Sequence, residues 1–76
     1  MEMSLARLEN GVWATVRELA ISAALADRLR DFGLIPGTRV RCRYRSPGGD
    51  VTALEFRGTV VALRTRDLAG IRVTEP

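Results

Sequence analysis

The 76-residue chain contains no histidine and no lysine, and each absence removes a class of chemistry. Without imidazole there is no Ser-His or Cys-His pair, and without an ε-amine there is no Walker A phosphate loop, Schiff base or lysine-activated serine. The chain is therefore expected not to be an enzyme. A tight transition-metal site wants imidazole or several thiolates, and the chain offers one thiol, Cys42. Its carboxylates Asp50, Glu55 and Asp67 follow no metal-ligand spacing, so no metal or cofactor is expected. A single cysteine forms no internal disulfide, and Cys42 falls at an inward strand position where a thiol behaves as a small hydrophobe. No apolar run is long enough to cross a bilayer, and residues 1–8 carry charge where a signal peptide needs its apolar region. These absences lead to the expectation of a cytoplasmic protein with no membrane insertion.

What is present is a globular composition, 46% hydrophobic and 28% charged, in a length that accommodates one domain over residues 1–76. A domain near this size buries only about 60% of its unfolded surface, so the core is modest. The net charge is +3, and all 12 basic residues are arginine. Such a balance suits an anionic partner, whether nucleic acid, an acidic protein face or lipid headgroups, and it equally suits solvated charge.

The chain is organised around residues 28–40, RLRDFGLIPGTRV. Leu25, Leu29 and Phe32 recur at helical spacing, which predicts a helix over 23–32 with Ser22 as its cap and one apolar face laid on a sheet. Gly33 follows as the left-handed stop. Pro36-Gly37 then predicts a type II turn, after which the chain is extended. Before the helix, residues 4–8 read as an arm carrying Leu5 and Leu8 beneath the sheet, and a strand spans 12–18 with Ala14 and Val16 inward. After it come strands over 38–45, 51–57, 59–64 and 71–73, joined by the turn signals at 46–50 and Gly58 and by a short turn at 65–70. About five short strands with one helix inserted after the first describe a mainly β fold, a small twisted antiparallel barrel with one or two short helices.

Two features are candidate contact surfaces. The strand at 38–45 alternates strictly, so Val40, Cys42 and Tyr44 should face the core while Arg39, Arg41, Arg43 and Arg45 form a stripe outside. The stripe could meet phosphates or an acidic face; its bland reading is a solvated edge partly neutralised by Glu55. Trp13 faces outward as a possible binding anchor, although packing against the helix or the arm is the favoured reading. Arg28, Leu34 and Ile35 flank the helix exit and complete the candidate set, with Leu34 doubling as a core position.

Arg28-Leu29, Gly33-Leu34, Pro36-Gly37, Ser46-Pro47, Gly49-Asp50, Leu63-Arg64, Ile71 and Val73 together resemble the FeoA family of bacterial ferrous iron uptake, over nearly the whole chain. The resemblance implies an SH3-like barrel that acts as an accessory to FeoB, the membrane transporter with a cytosolic GTP-binding domain, binding or regulating it rather than carrying iron. It supplies no catalytic or metal residues. The chain departs from the family pattern at Val51, where proline often follows Gly-Asp, which should relax that hairpin, and at Leu68, usually Ala, which should alter the packing of the last turn. The alternative reading is a small basic barrel that binds nucleic acid, or a regulatory domain like that of iron-dependent repressors. It is disfavoured because only Trp13 and Tyr44 could serve as stacking platforms and residues before Met1 would be needed for sequence-specific recognition. A direct ferrous sensor or carrier ranks lowest on ligand grounds, and the sequence gives no oligomeric state.

Overall fold

In the computed structural model, which describes residues 1–75, the first residues do more than form an arm. Glu2–Ser4 is a strand, β1, that pairs with the end of the chain and runs into a 3-10 turn at Leu5–Arg7. Five further strands follow: β2 (Trp13–Leu19), β3 (Arg39–Arg45), β4 (Val51–Phe56), β5 (Thr59–Arg64) and β6 (Ile71–Thr74). All pair antiparallel in the order β1-β6-β2-β3-β4-β5. The expected mainly β architecture is therefore present with six strands instead of five. Its one α-helix, α1 (Ala23–Asp31), sits between β2 and β3, and a second 3-10 turn at Thr65–Leu68 precedes β6.

Alternation puts Ala14 and Val16 of β2, Val40 and Cys42 of β3, Leu54 and Phe56 of β4, and Ile71 and Val73 of β6 on one buried face. Leu5, Leu8, Leu29, Leu34 and Leu68 complete the core from the connections. Leu68 is wholly buried there. Val51 does not loosen its hairpin, because its N–H donates to the Ser46 hydroxyl at 3.1 Å, a bond that proline cannot make.

The helix begins as its sequence indicates, with the Ser22 hydroxyl accepting the Leu25 N–H at 3.2 Å. Its end differs in one respect. Asp31 is the last helical residue, and Phe32, the C-cap, is 51% exposed instead of lying on the apolar face with Leu25 and Leu29. Gly33, at φ +99°, reverses the chain so that its N–H reaches the Arg30 carbonyl at 2.8 Å and the Leu34 N–H reaches the Leu29 carbonyl at 2.9 Å. This Schellman pattern delivers Leu34 to the core beside Leu29, so Leu34 takes the place that spacing assigns to Phe32. The following turn closes as expected, with the Thr38 N–H donating to the Ile35 carbonyl at 3.0 Å and Gly37 at φ +95°. Its tip is tied to β2 by the Gly37 N–H, which donates to the Val16 carbonyl at 2.7 Å.

Candidate functional site

The outer face of β2 and β3 gathers four of the eight candidate residues, Trp13, Arg39, Arg41 and Arg43. Register sets Trp13 opposite Arg41 and Thr15 opposite Arg39, so the two arginines are direct and diagonal neighbours of the indole. Their guanidinium carbons lie over the ring at 5.5 Å for Arg39 and 5.0 Å for Arg41. Trp13 thus lies beneath two arginines and is half-buried. Each such cation–π contact at an exposed site is worth about 0.5–1 kcal/mol, enough to bias rotamers on a surface where arginines otherwise roam.

Glu55, opposite Arg41 on β4, orders the other side of the face. One of its carboxylate oxygens accepts from Arg41 Nε at 2.7 Å and lies 2.7 Å from Arg41 Nη2, with Arg43 Nη1 at 3.4 Å. The hydrogen bond from Arg41 holds the Glu55 carboxyl below the ordinary carboxylate value; partial burial opposes this, and the charges of Arg41 and Arg43 add to it. A depressed folded-state value contributes stability that is present above the ordinary carboxylate value and is lost as pH falls through the depressed one. A carboxyl-carbon NMR titration is expected to show Glu55 protonating below the ordinary carboxylate value, and Arg41→Ala to move it back up. An unmoved Glu55 in that variant would break the assignment.

Arg39 takes part in no ion pair among the described residues and is exposed beside a groove lined by Thr15, Arg17, Thr74 and Glu75. It is the arginine of the stripe most available to a partner. Arg45 is not part of the stripe. The β3–β4 register shifts between Cys42 and Tyr44, so the strand carries a bulge at Arg43 that reverses the faces of the residues after it. Tyr44, expected in the core, is 57% exposed, and Arg45 turns inward. There Arg45 donates to the carbonyls of Leu8 at 2.8 Å and Ala6 at 3.0 Å and to Asn10 Oδ1 at 3.1 Å, pinning the N-terminal connection to the sheet. Cys42 is buried as expected, its thiol 3.0 Å from the same Asn10 oxygen.

Leu34 is wholly buried and presents no surface. Ile35 is 38% exposed and, with Phe32, leaves two large apolar side chains uncovered just before β3. Arg28 is exposed on α1 and makes none of the ion pairs or ring contacts of the arginine face. The set assembled by the structure is therefore Trp13, Arg39, Arg41 and Arg43, ordered by Glu55. Tyr44 is an exposed residue that strict alternation misplaces, since a bulge leaves no mark in the polar–apolar pattern. Among the described residues no group of three His, Cys, Asp or Glu side chains converges as a metal site.

Among the described residues, six antiparallel strands around one core and one α-helix between the second and third define a small SH3-like barrel. A FeoA domain family model matches residues 3–75, and the chain belongs to the FeoA family. Among solved structures it is similar to the FeoA protein of Chlorobium tepidum, at 30% identity and a TM-score of 0.92 over 96% of this chain and 70% of that one. It is also similar to Stenotrophomonas maltophilia FeoA, crystallised with zinc and described as a prokaryotic SH3 domain protein, at 31% identity and a TM-score of 0.76 over 93% of this chain and 88% of that one. A manganese-dependent transcriptional repressor shares the fold alone, at 16% identity and a TM-score of 0.86 over 99% of this chain and 42% of its own. No curated protein sequence matches the chain significantly.

Proposed function

We propose that this chain is a non-enzymatic accessory module of ferrous iron uptake that docks, through the Trp13–Arg39–Arg41–Arg43 face, on the cytosolic GTP-binding part of a FeoB-like membrane transporter. Membership of the FeoA family supports the pathway. The observation that supports the docking face is the ordering of its arginines, two by the Trp13 ring and two by the Glu55 carboxylate. Immobilising a long side chain at an interface costs about 0.5–1.5 kcal/mol, and a face ordered beforehand avoids part of that cost. An acidic, relatively flat partner surface matches it. Action at a cytosolic domain places the module in the cytoplasm, and no helix among the described residues is long and apolar enough to cross a membrane. The nucleic-acid alternative finds little support in Trp13, whose ring is already covered by guanidinium groups instead of standing open for a base.

Calorimetric titration with the cytosolic domain of the cognate transporter tests the reading. Arg39→Glu reverses the free charge of the face without touching an ion pair or a core contact, and is expected to weaken binding by about tenfold, about 1.4 kcal/mol. Equal affinity of wild type and variant would remove the arginine face from the interface, and no binding by either would remove the transporter domain as the partner.

A further inference from the structure

Strand β5 closes one side of the sheet. It pairs with β4 alone, in an unbroken register from Phe56 opposite Thr59 to Val51 opposite Arg64, and among the described residues its backbone bonds to no other segment, apart from the Arg64 carbonyl, which opens the 3-10 turn at Thr65–Leu68. The β4–β5 turn has two residues, Arg57 at φ 53° and Gly58 at φ 76°, the geometry of a type I′ hairpin whose flanking residues form a hydrogen-bonded pair. Counting from that pair, Thr59, Val61 and Leu63 bond to β4, and the N–H and C=O groups of Val60 and Ala62 and the N–H of Arg64 point away from the sheet, the Arg64 carbonyl being taken by the 3-10 turn that follows.

Natural edges are usually short, bulged, charged or interrupted by proline. The opposite edge, β1, obeys this with three residues. β5 has six residues with no bulge, no proline and no charge before Arg64. The sheet face beside it is largely apolar: Tyr44, Ala53 and Ala62 lie in one cross-strand row, Val51 and Val60 are 39% and 51% exposed, and the one carboxylate there, Glu55 opposite Val60, is already held by Arg41 and Arg43. Arg57 brackets one end of the strand and Arg64 and Arg66 the other, and none of the three has an ion-pair partner among the described residues.

We propose that β5 is a docking edge for an extended strand of a different polypeptide, uncharged in its middle and acidic toward both ends. The added strand would take the outward backbone groups of Val60 and Ala62 and the Arg64 N–H, lay alternate side chains on the Tyr44–Val60 face, and set its carboxylates against Arg57, Arg64 and Arg66. A second copy of this chain is the wrong occupant. Antiparallel self-pairing brings Arg57 of one copy to the end where the other carries Arg64 and Arg66, and opposed like charges are destabilising. The edge adjoins the arginine face across Glu55, on the side away from Arg39 and Trp13, and this inference does not rest on the transporter reading.

The test uses the full chain, isotope-labelled, with a blocked synthetic peptide Glu-Glu-Thr-Val-Thr-Val-Glu-Glu and its counterpart carrying lysine in place of each glutamate. The acidic peptide is expected to slow amide exchange at Val60, Ala62 and Arg64 by about tenfold or more while leaving Val61 and Leu63 nearly unchanged, and to bind about tenfold tighter than the basic one. Ala62→Pro removes an N–H that β4 does not use and should abolish the effect. Should that variant fail to fold, the double variant Arg57→Glu, Arg64→Glu should exchange the peptide preference. No protection at the three amides up to millimolar peptide, an equal response to both peptides, or a peptide-free dimer that protects Val60 and Ala62 would each overturn the proposal. Arg39→Glu should leave peptide binding intact, so failure here and failure of the transporter reading are told apart.

Discussion

Phe56→Ala is expected to lower the stability of the chain by about 3–5 kcal/mol, the usual cost of emptying a buried phenylalanine site. Phe56 is fully buried, the largest side chain in the core, and the last residue of β4 before the β4–β5 turn. A domain of this length has about 4–11 kcal/mol of stability in all, so the loss consumes a large share of it and loosens the hairpin that carries the β5 edge. Urea unfolding followed by circular dichroism is the measurement. Phe32→Ala serves as its control, because Phe32 is exposed at the C-cap and should change stability by no more than about 0.5 kcal/mol. Similar losses for the two variants would mean that the helix end is not built as described.

Gly70→Ala is expected to cost about 3 kcal/mol or more. The Gly70 backbone runs against that of Ala20, whose N–H donates to the Gly70 carbonyl at 2.8 Å. A Cβ at Gly70 would run into the Ala20 carbonyl oxygen, with Ile21 Cγ2 close behind at 3.2 Å. That oxygen belongs to the backbone and has no rotamer to escape into, so the two segments must part. At about 4–8 °C per kcal/mol for a domain of this size, the melting temperature should fall by at least about 12 °C. Gly33→Ala is the instructive contrast. There the nearest atom is Arg57 Cδ at 2.9 Å, on a side chain that can swing away, which leaves chiefly the left-handed backbone penalty of about 1–2 kcal/mol. A melting temperature for Gly70→Ala within a few degrees of wild type would contradict the close approach.

Much of this architecture is written in local patterns. Ser22 as cap, Gly33 as stop, the Pro36-Gly37 turn, the strands and their inward residues Ala14, Val16, Leu54, Phe56, Ile71 and Val73 each follow from a rule that acts over a few residues. What escapes depends on partners distant in sequence. Residues 2–4 become a strand only because β6 offers an edge, and three residues carry too little pattern to announce it. The bulge at Arg43 exists only in the pairing of β3 with β4, so alternation assigns Tyr44 to the core and Arg45 to the surface when the reverse holds. The stripe of four arginines accordingly becomes three outside and one structural. Phe32 is left outside, and Leu34 alone takes the core position, because helical spacing stops applying one residue before the Schellman turn takes over. Trp13 is placed outward correctly by alternation, but its cover of Arg39 and Arg41 arises from the β2–β3 register, which no single strand encodes.

These corrections sharpen the functional reading. A stripe of four equivalent cations has become a smaller face in which Arg41 and Arg43 share Glu55, Arg39 stands unpaired, and Trp13 lies beneath. Arg45 and Leu34 leave the list of contact residues because the fold already uses them.

The most direct measurement is an amide-shift titration of the isotope-labelled chain with the cytosolic domain of its cognate ferrous transporter, at two salt concentrations. Docking through the arginine face predicts shifts clustered at Trp13, Thr15, Arg39, Arg41 and Arg43, including the Trp13 indole N–H, and weaker at the higher salt. Shifts confined to other surfaces, or none at either salt, would contradict it.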